Sequence, residues 1–203
     1  MTPLDDITGM VLAGGRGTRM GHVDKGLQRF RGATMAEHVI RRLAPQVGAL
    51  AINANQNIDV YAALKVPVWP DQLTGFEGPL AGLATGMARC ATPLLVTAPC
   101  DSPFLPSDLV ARLYQALTEG GADLALAETT EPGADGTPRV QPQPVFALVR
   151  TAALPRLEAY LAGGGRRMDG WYAGITVARV HFDDADAFRN INTLDELRQC
   201  EPE

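Results

Sequence analysis

The chain is short of the residues on which several large classes of protein depend. Cysteine occurs three times in 203 residues, at Cys90, Cys100 and Cys200. These lack the paired spacing of a zinc site and are too few for a disulfide framework, so a reducing compartment, the cytoplasm, is expected. No apolar run is long enough to cross a bilayer. The opening MTPLDDITGMVLAGG carries an acidic pair and no basic leader region. Basic residues are outnumbered, 18 Lys and Arg against 23 Asp and Glu, for a net charge of −5. That balance argues against a nucleic-acid binder with a broad basic surface, while leaving room for a local basic pocket around a small phosphorylated ligand. Two nucleotide motifs also fail on spacing. A P-loop needs Gly-Lys-Ser/Thr after four intervening residues. A dinucleotide fingerprint needs G-x-G-x-x-G and an acidic residue ending the second strand; here Met20 breaks the glycine pattern, and Asn53 and Asn55 stand where the acid would be.

What is present is an ordinary globular composition, 46% hydrophobic and 20% charged, of a length that suits one domain over residues 1–203. Short apolar runs alternate with helical patterns. Strands are expected at Ile7–Ala13, Ala49–Ala54, Val66–Trp69, Leu94–Ala98, Leu124–Ala127, Val145–Val149 and Ile175–Phe182. Helices are expected through Val39, Ile40, Leu43 and Val47, over Pro79–Cys90, Pro106–Thr118, Ala152–Leu161 and Leu194–Cys200. The polar, Pro/Gly-rich stretch Thr129–Pro144 reads as a surface loop, either a lid or the rim of a substrate site. The pattern implies an α/β fold, with a mostly parallel central sheet and helices on both faces. In such folds ligands bind beyond the carboxyl ends of the strands.

The chemistry-bearing residues fall at those ends. LAGGRGTRMG (12–21) follows the first strand. Gly14, Gly15 and Gly17 bring backbone N–H groups close to a ligand, and Arg16 and Arg19 add charge suited to phosphate. Lys25, in DKGL, supplies a mobile positive charge for a polyphosphate. Asn53 ends the second strand, and Asp71 follows Val66–Trp69. A carboxylate only accepts hydrogen bonds, so Asp71 suits the N1–H and exocyclic amine of guanine, or equally a ribose hydroxyl. Taken alone, each also reads as a turn or cap residue. The loop Gly75–Gly82 opens a helix, where glycines permit close approach. Asp101 follows the buried strand Leu94–Ala98 directly, where one carboxylate with substrate phosphates can hold Mg²⁺. Ser107 is available to cap the next helix, which frees Asp101 from that duty. Cys100 reads as a small buried filler. In the distal half, Gln143 is expected at the mouth of a strand, and Arg166 and Arg167 start a short helix. Thr193 or Asn192 precedes the last helix, with Glu196 completing a capping box.

Together, LAGGRGTRMG, DKGL, NAN, WPD, GPLAG, PCDSPF, QPVFAL, RRM and FRNINT-x-x-EL resemble the molybdenum cofactor guanylyltransferase family. The match spans almost the whole chain, and nine motifs in order are far more specific than one. The resemblance implies a Rossmann-like nucleotidyltransferase fold and two substrates, GTP and Mo-molybdopterin, which become the guanine dinucleotide and pyrophosphate. It implies GTP contacts from Leu12, Ala13, Gly14, Gly15, Lys25, Asn53, Asp71 and Asp101 in the N-terminal half. A molybdopterin-side group follows, mostly C-terminal: Arg19, Gly78, Gly82, Gln143, Arg166, Asn190 and Asn192. Lys25, Asp101 and Arg19 are the expected catalytic residues. Asp101 is expected to hold Mg²⁺, with Mn²⁺ as the alternative ion. A monomer that hands its product to molybdoenzymes or their chaperones is the expected working form, without nucleic-acid or membrane partners. One departure is Gly21-His22, where family members often carry Gly-Gly. The sister cytidylyltransferase is the nearest rival, and Gly14, lacking a Cβ, leaves room for the larger purine. A nucleotide-binding delivery protein without activity would dispense with Lys25 and Asp101.

Overall fold

The computed structural model describes residues 4–13, 24–72, 78–193 and 196–197. β1 (Ile7–Leu12) is buried along its full length, as a continuous apolar run must be when both faces of a sheet are covered. A short hairpin of β2 (Arg29–Phe30) and β3 (Ala33–Thr34) leads into α1 (Met35–Leu43). The start of α1 is fixed by a capping box: the Glu37 N–H donates to Thr34 Oγ1 at 3.2 Å, and the Thr34 N–H donates to Glu37 Oε2 at 2.7 Å. β4 (Ala49–Asn53), α2 (Ile58–Ala62), α3 (Pro79–Arg89), β5 (Leu94–Pro99) and α4 (Leu109–Glu119) follow. Then come β6 (Leu124–Pro132), β7 (Pro138–Arg150), α5 (Leu154–Ala162), α6 (Met168–Tyr172) and β8 (Val177–Phe182).

The six-stranded sheet has the order β4-β1-β5-β7-β6-β8. β1 runs parallel to β4 and β5, and β6 runs parallel to β8; β7 alone is antiparallel to its neighbours β5 and β6. One face packs beneath α1 and α4 through Val39, Leu43, Leu109 and Leu113. The other lies under α3, α5 and α6 through Leu80, Leu83, Leu157 and Trp171. Removing such side chains from water stabilises the fold by roughly 1.5–3 kcal/mol each.

Register sets the position of the site. Leu12 pairs with Asn53 on one side and with Pro99 on the other. The carboxyl ends of β4, β1 and β5 are therefore level.

Three expectations from the sequence need correction. Thr129–Pro144 is a hairpin rather than a loop: Glu128 to Pro132 pair with Pro142 to Pro138. The composition misleads because β7 runs past the end of its pairing with β5 at Ala147. Prolines are tolerated on a strand with an open side. Val66–Trp69 is no strand but a single parallel bridge, Ile52 to Val68. Pro67 and Pro70 bracket it and have no N–H to extend a ladder. Ser107 does not cap α4. Asp108 stands at the N-cap without a side-chain bond, and the buried Gln46 reaches across to accept from the Val110 N–H at 3.0 Å. The expected last helix, Leu194–Cys200, lies mostly outside the described residues. Among the described residues, no helix is long and apolar enough to cross a membrane.

Candidate active site

At the end of β5 the chain runs through Cys100 into Asp101, and the Cys100 N–H donates to Leu12 O at 3.1 Å. This tether holds Asp101 at the mouth between β1 and β5, where the residue is only 8% exposed. Its carboxylate receives the Lys25 ammonium at 3.2 Å. The same ammonium donates to Asn192 Oδ1 at 2.6 Å. Residues that the sequence separates widely thus converge on one cation. Two further bonds lock them: the Ile191 N–H donates to Asp101 O at 2.8 Å, and the Ser102 hydroxyl pairs with Asn190 Oδ1. The segment 190–192 is itself steadied by Glu196, which accepts from the Asn192 N–H at 2.7 Å, while the Glu196 N–H donates to Thr193 Oγ1 at 3.1 Å. The Glu196 N–H thus meets Thr193, while the returning carboxylate bond reaches Asn192, the two residues between which the sequence left the cap open.

Lys25 owes its position to a residue that the sequence did not single out. The carboxylate of its neighbour Asp24 is taken by the Tyr61 hydroxyl at 2.6 Å, the Asn57 amide at 2.9 Å and the Gly26 N–H at 3.2 Å. Asp24 is thus occupied elsewhere and leaves Lys25 facing Asp101. Tyr61 is fully buried, and burial first, then the nearby Cys100 and Asp24, push its hydroxyl above the usual phenol range. Burial, then the charges of Asp101 and Asp24, likewise hold the Cys100 thiol well above its ordinary value. Cys100 is a neutral filler, as expected.

A second cluster stands at the end of β4. Asn53, 3% exposed, donates from its amide nitrogen to Trp69 O at 2.9 Å and to Asp71 Oδ1 at 2.8 Å. Leu12 and Ala13 close the crevice beside it, with the Ala13 N–H donating to Asn53 O at 2.8 Å. Gly14, Gly15 and Arg19 lie outside the described residues.

The residues grouped on the molybdopterin side do not form one cluster. Gly82 sits inside α3, against Asn53 and Leu12; a Cβ there would overlap the Asn53 side-chain oxygen. Gly78 begins the same helix at φ +110°, a backbone conformation that L side chains rarely adopt. Gln143 lies within β7 rather than at a strand mouth, and donates to Thr129 Oγ1 and Glu131 Oε1, both at 3.0 Å. It shares a cavity of about 460 Å³ with Phe188, Arg189 and Asn190. Arg166 instead lines a larger hollow of about 820 Å³, with Met168, Tyr172, Val145 and Arg179, and donates to the Leu161 and Gly165 carbonyls at 3.1 and 2.7 Å. Gln141 borders both cavities.

A family model described as a MobA-like NTP transferase domain matches residues 9–175. The molybdenum cofactor guanylyltransferases of Cupriavidus taiwanensis and Cupriavidus necator are 57% and 58% identical to this chain over 201 residues, covering 99% of it and 99% of each relative. The chain belongs to the molybdenum cofactor guanylyltransferase family. The fold agrees. A solved structure of molybdopterin-guanine dinucleotide biosynthesis protein A from Archaeoglobus fulgidus superposes with a TM-score of 0.76 at 23% identity, over 96% of both chains. The 4-diphosphocytidyl-2C-methyl-D-erythritol synthase of Anaerococcus prevotii does so with a TM-score of 0.71 at 13% identity, over 97% of this chain and 96% of its own. The α/β architecture read from the sequence is the nucleotidyltransferase fold.

For this guanylyltransferase family member, the donor chemistry at the β5 mouth suits a hard divalent cation. Asp101 offers carboxylate oxygen, and among the described residues no three His, Cys, Asp or Glu cluster into a closed cage. A single carboxylate leaves most coordination positions to phosphate oxygens and water, the arrangement that Mg²⁺ favours.

Proposed function

We propose that this chain transfers GMP from GTP to the terminal phosphate of Mo-molybdopterin, giving Mo-molybdopterin guanine dinucleotide and pyrophosphate. The observation that carries the reading is the Lys25 ammonium held between Asp101 and Asn192 at the level carboxyl ends of β1 and β5. It is a cation at a crevice mouth, beside a carboxylate fit for metal, in a chain whose near relatives are named molybdenum cofactor guanylyltransferases.

In this reading Asp71 accepts from the N1–H and exocyclic amine of guanine. Lys25 turns from Asp101 and Asn192 to the triphosphate. Asp101 would hold Mg²⁺, with Mn²⁺ able to replace it. When bound, the metal offsets negative charge at the α-phosphate. An oxygen of the acceptor's terminal phosphate attacks the α-phosphorus in line. A new P–O bond forms, the bond from the α-phosphorus to the bridging oxygen breaks, and pyrophosphate leaves with that electron pair. A phosphomonoester has its second pKa near ~6, so the nucleophile is already deprotonated at neutral pH and needs no general base. The raised Cys100 thiol and the His38 ring, whose Nε2 lies 2.7 Å from Phe30 O, then have no proton to take. Rate enhancement comes from positioning and charge neutralisation. We place GTP on the N-terminal half and the acceptor beside Asn190 and Gln143, in a monomer that works in the cytoplasm and passes its product to a molybdoenzyme or its chaperone.

Calorimetry with GTP, CTP, ATP and UTP, each with Mg²⁺, tests the reading. Selective GTP binding is expected. Preference for CTP would move the chain to the sister cytidylyltransferase activity. Lys25→Ala should weaken GTP binding about tenfold or more, the loss of a charged hydrogen bond, and GMP binding much less. An equal loss for both ligands would remove Lys25 from the triphosphate.

A further inference from the structure

The cluster at the end of β4 contains a residue with no assigned role. Asn55 donates from its amide nitrogen to Asp71 Oδ2 at 2.8 Å. Its own side-chain oxygen accepts from the Asp71 N–H, also at 2.8 Å. One partner is an acceptor and the other a donor, so the amide has a single orientation that satisfies both. Asn53 holds the other carboxylate oxygen, Oδ1. Both amide hydrogens of Asn53 are spent, on Asp71 and on Trp69 O, and its oxygen is packed against Gly82. Buried Asn53 thus has no N–H left for a ligand and acts here as a brace.

Asp71 is therefore gripped by two amides, one on each carboxylate oxygen, with its backbone tied to one of them. A carboxylate has about four acceptor positions. Two are filled by the asparagines, and one remains on each oxygen. Two bonds, one on each oxygen, restrain the turning of the carboxylate, and each oxygen keeps room to accept one of two adjacent N–H donors. Asn53 alone would leave the carboxylate free to turn about its held oxygen.

We propose that Asn55 is a specificity-determining positioning residue: by holding Asp71 Oδ2 it sets the carboxylate to accept from both N–H donors of a guanine edge at once. This rests on the GTP reading above. Inosine triphosphate separates the two, because it keeps the triphosphate and the N1–H but lacks the exocyclic amine.

The test is calorimetric affinity for Mg²⁺ complexes of GTP and ITP in the wild-type protein, Asn55→Ala and Asn55→Asp, with thermal melts to verify folding. A hydrogen bond to a charged acceptor is worth about tenfold or more in affinity, so the wild type should favour GTP over ITP by at least about tenfold. In Asn55→Ala that ratio should fall to about threefold or less. Asn55→Asp, nearly the same in shape, sets a second carboxylate against Asp71 and should lower it at least as far. A merely structural role for Asn55 would weaken both nucleotides alike and leave the ratio unchanged, and that result in either folded variant overturns the proposal. A wild-type protein that prefers CTP or ATP overturns the GTP reading and this inference with it. A wild type selective for GTP, whose ratio survives in both variants, overturns the inference alone.

Discussion

The two halves of the sheet treat their polar residues differently. At the β4-β1-β5 end, the side chains expected to face a nucleotide are bonded to one another, Lys25 to Asp101 and Asn53 to Asp71, and Lys25 also reaches Asn192, which was expected on the molybdopterin side. At the β7-β6-β8 end, the residues grouped by resemblance are spread over two cavities, and their bonds run to local partners: Gln143 to the adjacent β6, Arg166 to the carbonyls of its own turn. At this end the donors are already engaged within the protein, so a ligand that takes Lys25 must draw it from Asp101 and Asn192. The distal end offers two walls of a long hairpin instead. Parallel strands with level carboxyl ends build the first arrangement; an antiparallel β7 that overruns its neighbour builds the second.

The comparison can be broken most severely at Asp101. Asp101→Ala removes the carboxylate that meets Lys25 and suits a metal. Turnover, followed as pyrophosphate release from GTP and Mo-molybdopterin, should fall by at least about 10²-fold, with the fold intact by circular dichroism. Normal turnover in that variant would refute the metal assignment. A smaller effect is expected from Gly82→Ala. The added methyl must displace Asn53, so overpacking should cost about 1–3 kcal/mol in denaturant unfolding and weaken GTP severalfold. Tolerance of that change on both measures would show that Asn53 is free to move. The smallest effects fall in the distal half and sharpen its ambiguity. Gln143→Ala and Arg166→Ala alter different cavities, so KM for Mo-molybdopterin should rise with Gln143→Ala, by roughly the tenfold of one hydrogen bond or less, while GTP affinity holds. A rise with Arg166→Ala alone would move the acceptor to the larger cavity.

Much of the fold is legible in the sequence because its information is local. Ile7–Leu12 and Leu94–Pro99 are continuous apolar runs, and a run of that length bounded by turns has few other uses. Asp101 could be placed for the same reason, since it follows such a strand directly. Thr129–Pro144 was misleading because proline and glycine mark loops in general, and nothing nearby announces that β7 would overrun β5 and gain an open side. The grouping of Gly82 with the molybdopterin residues has a similar origin: the motif gives its place in the chain, whereas its neighbour Asn53 is supplied by another strand. Asn55, Asp24 and Tyr61 were passed over because each acts on a partner 16 or 37 residues away.

The contact between Lys25 and Asn192 spans 167 positions of sequence, and this has a consequence during synthesis. β1, the glycine-rich segment and Lys25 leave the ribosome before Asp101 does, and Asp101 before Asn192. The residue that completes the lysine's seat, Asn192, is made only after every strand of the sheet. A nascent chain can therefore fold its central strands long before it owns a finished reaction centre, and ribosomes that stall before residue 192 release a product that lacks the seat of its own lysine.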